Sequence, residues 1–211
     1  MNSAPLLVET SYAIAGATGG FSLALALATR HGAVQRLDDL IEARVGPHRA
    51  GIRGPALAAS LLGEKFVHPL LAAAAVVVLH LARGGSTFHF IVPMAAASLG
   101  GIAAHHAVKF VYRRPRPVVA LERNKTEPAY PSGHTTIATA VLMTGAFLFA
   151  YDGLLPPVIA FAIATVAALC TGMSRVALGW HWTSDVIGGW LTGLCVAALA
   201  SALYLTLPTL A

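Results

Sequence analysis

The chain has 211 residues, 56% of them hydrophobic and 11% charged, and its mean hydropathy is +0.70. That balance excludes an ordinary soluble domain, and no nucleic acid partner is expected despite a net charge of +5; the composition is that of a protein solvated by lipid. The fold class is all-α: the apolar runs are continuous and rich in Ala and Leu, without the two-residue alternation of barrel strands.

Six apolar runs are each close to the roughly 20 residues that span a hydrocarbon core of about 30 Å. The first, 12–29, has no Lys or Arg before it, the earliest being Arg30, so it lacks the charged start of a cleaved leader and is expected to remain as a spanning helix. Residues 30–65 follow as a polar segment in which Leu37, Leu40, Ile41 and Val45 share a helical face. This pattern predicts a short helix lying in the membrane interface, broken afterwards by Gly46-Pro47, Gly51 and Gly54-Pro55. Glu64 and Lys65 are expected to pair with each other at the start of the second span, 66–82.

The third span, 88–108, leads into a second polar loop, 109–134, and the remaining spans are predicted at 135–151, 154–173 and 186–207. Cys170 and Cys195 fall inside spans, where a free cysteine behaves as a small hydrophobe, and no disulfide or metal role is expected for them. Gly16 with Gly20 and Gly189 with Gly193 are small-x3-small pairs expected to pack the bundle. Oligomeric state stays open.

With six spans, alternate loops share a side, so 30–65, 109–134 and 174–185 lie together and nearly all the cations with them. Three stretches on that side carry polar residues that a bilayer border does not require: KFVYRRPRP at 109–117, PSGH at 131–134 and SRVALGWHWTSD at 174–185. Cations converging with two histidines and a carboxylate suit a phosphate ester, whose oxygens take charge-assisted hydrogen bonds. Ser132 is expected to cap the fourth spanning helix, whose free N–H groups form an anion site that Gly133 lets a ligand approach. His134 then stands beside the bound group as proton donor. His181 and Asp185 are four residues apart and on a helix would face the same way, the carboxylate fixing the tautomer of an attacking imidazole.

K-x6-R-P, P-S-G-H and S-R-x5-H-x3-D in this order resemble the three signatures of the type 2 phosphatidic acid phosphatase (PAP2) superfamily, with no motif position substituted. The resemblance implies one PAP2-like transmembrane domain over 1–211, with the interfacial segment at about 30–65 and the motif region at 109–185. It implies that Lys109, Arg116, Ser132, Gly133 and Arg175 hold the phosphate, that His181 is transiently phosphorylated, that Asp185 supports it, and that His134 protonates the departing group. It also implies turnover without metal or other cofactor on a lipid phosphate: phosphatidic acid, phosphatidylglycerol phosphate, or a polyprenyl phosphate or diphosphate. A phosphotransferase of the same superfamily and a membrane transporter are the rival readings.

Arg113 and Arg114 are expected to face lipid headgroups, and His105 and His106 to find local backbone or water partners. His68, His80 and His89 are expected at boundaries or in packing, with no zinc spacing among them. Trp180 and Trp182 are expected as anchors at headgroup depth. Counting cations places the polar side in the cytoplasm, whereas the resemblance implies the periplasmic or lumenal face; the second is preferred because phosphate binding accounts for several of the cations, and the short loops suggest a bacterial-type inner membrane.

Overall fold

The computed structural model describes residues 4–84, 86–122 and 126–207. Its elements are α1 (Ala4–Arg30), α2 (Gln35–Val45), α3 (Arg49–Ser60), α4 (Val67–Arg83), α5 (Thr87–Tyr112), the single turn α6 (Val118–Leu121), α7 (Gly133–Tyr151), α8 (Pro157–Ala177) and α9 (Thr183–Thr206), with 3-10 turns at Gly46–His48 and Leu61–Gly63. No strand occurs among the described residues. Helices are what lipid permits, because each satisfies its own backbone polar groups where no water can.

Among the described residues, five helices (α1, α5, α7, α8 and α9) are long and apolar enough to cross a membrane, and α4 completes a sixth span as the second limb of a pair that bends by 58° from the Gln35–Gly63 segment. The six predicted runs thus coincide with α1, α4, α5, α7, α8 and α9. The helices α7 and α9 are the most enclosed, with α1, α5 and α8 packed around them. Their seam is made of small residues: a Cβ added at Gly193 would stand 2.6 Å from the Thr136 carbonyl oxygen, and one at Gly189 2.8 Å from the Thr135 Cβ. Toward the far end, Leu79, Phe90, Met94, Val141, Leu148 and Tyr204 form the apolar core, and the Tyr204 hydroxyl donates to Asp152 at 2.8 Å.

The fold of the bundle differs from expectation in three places. Gly16 and Gly20 do not pack the bundle; both are exposed and a Cβ at either meets nothing within 4 Å, while Gly19 is the glycine that faces α9, close to Cys195. Spacing alone cannot tell a lipid-facing stripe from a helix-facing one when both surroundings are apolar. Of the predicted breaks only the one at Gly46-Pro47 occurs, as the 3-10 turn Gly46–His48, and α3 continues through Gly51, Gly54 and Pro55. Pro55 removes one bond to the carbonyl of Gly51, and both residues are exposed, so that carbonyl is free to be solvated. In α2, Leu37 and Leu40 face outward as expected of an interfacial helix, but Asp38 turns into the protein and is buried.

Candidate active site

The last turn of α5 brings Lys109 inward, where it is buried and donates to Glu127 at 3.4 Å. The chain then reverses at Arg113, which holds a left-handed backbone (φ 36°) and donates to the carbonyl of Phe110. Arg114 and Arg116 each precede a proline, which keeps the backbone there out of helix. Their guanidinium groups part company. Arg116 donates to the carbonyls of Glu127 (2.7 Å) and Trp180 (2.8 Å) and to His181 Nε2 (3.0 Å).

Arg114 does not reach lipid headgroups. It is buried, donating to Asp185 Oδ1 (2.7 Å), Asp38 Oδ2 (2.7 Å), Ser184 Oγ (2.6 Å) and Gln35 (2.9 Å). Asp38 also accepts the backbone N–H of Ser184 at 2.9 Å, so the interfacial helix α2 caps the start of α9. A buried charge requires a paired partner, and the inward turn of Asp38 supplies it.

His181 precedes α9 instead of belonging to it, so its approach to Asp185 comes from the loop and not from a shared helical face. Asp185, the third residue of α9, accepts the Trp182 backbone N–H at 2.9 Å, and the same oxygen lies 3.5 Å from His181 Nδ1. A guanidinium can only donate, so Nε2 of His181 carries the lone pair and Nδ1 the proton; Nδ1 is buried without a hydrogen-bond partner among the described residues, 3.5 Å from the Asp185 oxygen. His181 is almost fully buried, and burial above all, reinforced by Arg116, Arg175, Lys109 and His134, holds its pKa well below the ordinary histidine value. Lys109 holds the Glu127 carboxyl below its usual range.

Arg175, near the end of α8, is buried, bonded to the Ser60 hydroxyl and stacked 4.4 Å from the Trp180 ring. Trp182 donates its indole N–H to the Pro115 carbonyl at 3.1 Å, tying the first motif to the third. Gly133 begins α7 and leaves room for His105, whose ring atoms would lie 3.0 Å from an added Cβ. His105 itself donates to the Gly101 carbonyl at 2.9 Å, the local partner expected. Ser132 occupies the N-cap position but its hydroxyl does not cap; it accepts from Thr135 at 2.9 Å, and its backbone N–H donates to the Asp185 carbonyl at 3.0 Å.

Lys109, Arg116, Gly133, His134, Arg175 and His181 line one cavity of about 560 Å³. Ser132 and Asp185 stand behind it, fully buried. Two acids absent from the motifs also line the cavity, Glu64 and Glu127. Glu64 accepts from His134 Nε2 at 2.9 Å, and Lys65 lies over the Phe66 ring. Nothing in the spacing marks these two acids or Asp38, because each finds its partner more than a dozen residues away.

The model of the PAP2 superfamily matches residues 86–208, more than half of the chain. The chain belongs to the PAP2 superfamily. Among solved structures, it resembles a transmembrane PAP2-type phosphatidylglycerolphosphate phosphatase from Bacillus subtilis, with a TM-score of 0.73 and 25% identity over 88% of this chain and 93% of that one. Among curated relatives, an undecaprenyl-diphosphatase of Sulfolobus acidocaldarius is 36% identical over 84 residues, which are 40% of this chain and 37% of that protein. The undecaprenyl-diphosphatase BcrC of Bacillus subtilis is 30% identical over 106 residues, 48% of this chain and 51% of that protein. The alignments thus span about half or less of those curated relatives.

Proposed function

We propose that this integral membrane PAP2 protein is a single-domain lipid phosphatase that hydrolyses a lipid phosphate monoester or diphosphate through a phosphohistidine. The observation that carries this reading is the setting of His181: a buried imidazole, its pKa held well below the ordinary value, whose Nε2 meets Arg116 at the wall of a cavity lined by Lys109, Arg116, Arg175 and a second histidine.

Phosphate oxygens entering the cavity take hydrogen bonds from Arg116, Lys109 and Arg175, with the start of α7 at Gly133 contributing backbone donors. Arg116 is thereby drawn off Nε2, which is freed to attack phosphorus. The N–P bond forms as the P–O bond to the leaving group breaks; the leaving oxygen keeps that electron pair and takes a proton from His134. Asp185, held by Arg114 and the Trp182 amide, stabilises the charge that His181 acquires. Water then attacks the phosphohistidine, gives a proton to His134, and releases phosphate and neutral His181. Ser132 shapes the site from behind by fixing the first turn of α7 against Asp185.

A polyprenyl diphosphate is the first substrate to test, because both curated relatives carry that activity in their names, with phosphatidylglycerol phosphate and phosphatidic acid beside it. Purified protein should release inorganic phosphate from one of these in the presence of chelator, and folded His181→Ala should lose roughly a thousandfold or more. Phosphate release surviving that substitution, or transfer only to an added lipid acceptor, would reject hydrolysis by this route. We take the cavity to open at the extracytoplasmic face of a bacterial inner membrane.

A further inference from the structure

Glu64 lies outside all three motifs and outside the residues that match the family, 86–208. Yet its carboxylate accepts from Nε2 of His134 at 2.9 Å inside the cavity. The junction between α3 and α4 is built to hold it there. Immediately before Glu64, a Cβ at Gly63 would stand 2.6 Å from the His134 Cβ and 2.7 Å from its carbonyl oxygen, so the turn and the first turn of α7 touch backbone to backbone. Immediately after, the Glu64 carbonyl accepts the backbone N–H of Val67 (2.9 Å) and the His68 ring N–H (3.0 Å). Ser60, at the end of α3, is bonded to Arg175 on the opposite wall.

We propose that Glu64 is a positioning residue for His134: its carboxylate sets the rotation of the imidazole and pairs with the ring that hands its proton to the leaving oxygen. The hydrogen bond between a carboxylate and a protonated imidazole is charge-assisted and directional. The two histidines are then a matched pair of opposites. Asp185 faces an imidazole kept neutral by burial and surrounding cations, whereas Glu64 faces one with partial access to solvent, its side chain 27% exposed. The carboxylates come from different segments, and the one serving the acid sits at the bend between the interfacial helices and α4. The inference rests on the hydrolytic reading, in which His134 gives its proton to the leaving oxygen and regains one from the attacking water.

The test separates an acid from a scaffold by the leaving group. A long-chain alkyl phosphate must be protonated as its alkoxide departs; a nitrophenyl phosphate releases a phenolate that needs no proton. Glu64→Gln keeps the shape and removes the charge. It should lower turnover of the alkyl phosphate by about tenfold to a hundredfold, while the initial burst of nitrophenolate, which reports formation of the phosphoenzyme, stays within about threefold of wild type. Added to His134→Asn, it should change the alkyl rate by less than about twofold, since it acts through a group already gone. Equal loss on both substrates, no loss on either, or a full further loss in the His134→Asn background would overturn the proposal. If Glu64→Gln fails to fold, Glu64→Asp is read on the same two substrates, and unequal losses again support the assignment where equal ones reject it. A folded wild type that releases phosphate from neither substrate would instead remove the hydrolytic reading, and this inference with it.

Discussion

On the proposed route His181 begins each cycle unprotonated, and the fold disfavours its charged form twice, by enclosing it and by surrounding it with cations. The sign of the consequence is fixed. A histidine whose pKa is lowered in the folded state stays neutral there while the unfolded chain takes up a proton below about pH 6.5. Its contribution to stability is therefore present above that pH and lost as the pH falls below it. In kcat/KM, the acidic limb set by His181 should lie below the ordinary histidine range. Arg116→Gln removes a cation 3.0 Å from Nε2, so beyond lowering the rate it should move that limb upward by roughly one pH unit. Substrate ionisation is common to wild type and variant and cancels in the comparison. A limb that stays put, or moves to more acid pH, would show that Arg116 does not tune the nucleophile.

At the level of elements, the bundle closes where α9 presents glycine to α7 and to the loop before it. A Cβ at Gly188 would penetrate the Tyr130 ring at 2.4 Å, and one at Gly193 would press on the Thr136 carbonyl and the Thr139 side chain, both at 2.6 Å. These contacts set the distance between the helices that carry His134 and Asp185. Gly193→Ala should destabilise the detergent-solubilised protein by about 1–3 kcal/mol. Gly16→Ala, placed in open space on α1, should be neutral or stabilise by up to about 1 kcal/mol, because alanine is the better helix former. Thermal unfolding followed by tryptophan fluorescence distinguishes the two; equal shifts would mean that α7 and α9 do not limit stability. The same contrast explains what could be read before the fold was known. Six spans follow from the length of apolar runs, and the motif residues from spacing along each segment. Which glycine pair faces protein, and which acid meets Arg114 or His134, are facts about neighbours in space. Asp38 and Asp39 look alike in sequence, yet Asp38 is buried against Arg114 and Ser184 while Asp39 stays exposed and accepts from Gln35.

For the molecule as a whole, the decisive question is which side of the membrane the cavity faces. The rule that basic loops stay cytoplasmic rests on cations that serve only to resist translocation. Here many of the 14 Lys and Arg residues have other work. Lys109, Arg116 and Arg175 line the cavity, Arg114 is locked between Asp38 and Asp185, and Arg49 is bonded to Glu42 and to the Ala177 carbonyl. Five cations in the count are thus explained by the site and its frame, which weakens the cytoplasmic assignment and leaves the extracytoplasmic one standing. Arg30, Arg36, Arg44 and Arg53 remain on the exposed surface and favour the opposite orientation. With Cys170 and Cys195 replaced by alanine, Arg44→Cys puts a single thiol on the exposed surface of α2. A membrane-impermeant maleimide should label it in intact cells whose outer barrier alone is permeable. Labelling only after the inner membrane is opened would place α2, and with it the cavity against which Asp38 anchors it, in the cytoplasm.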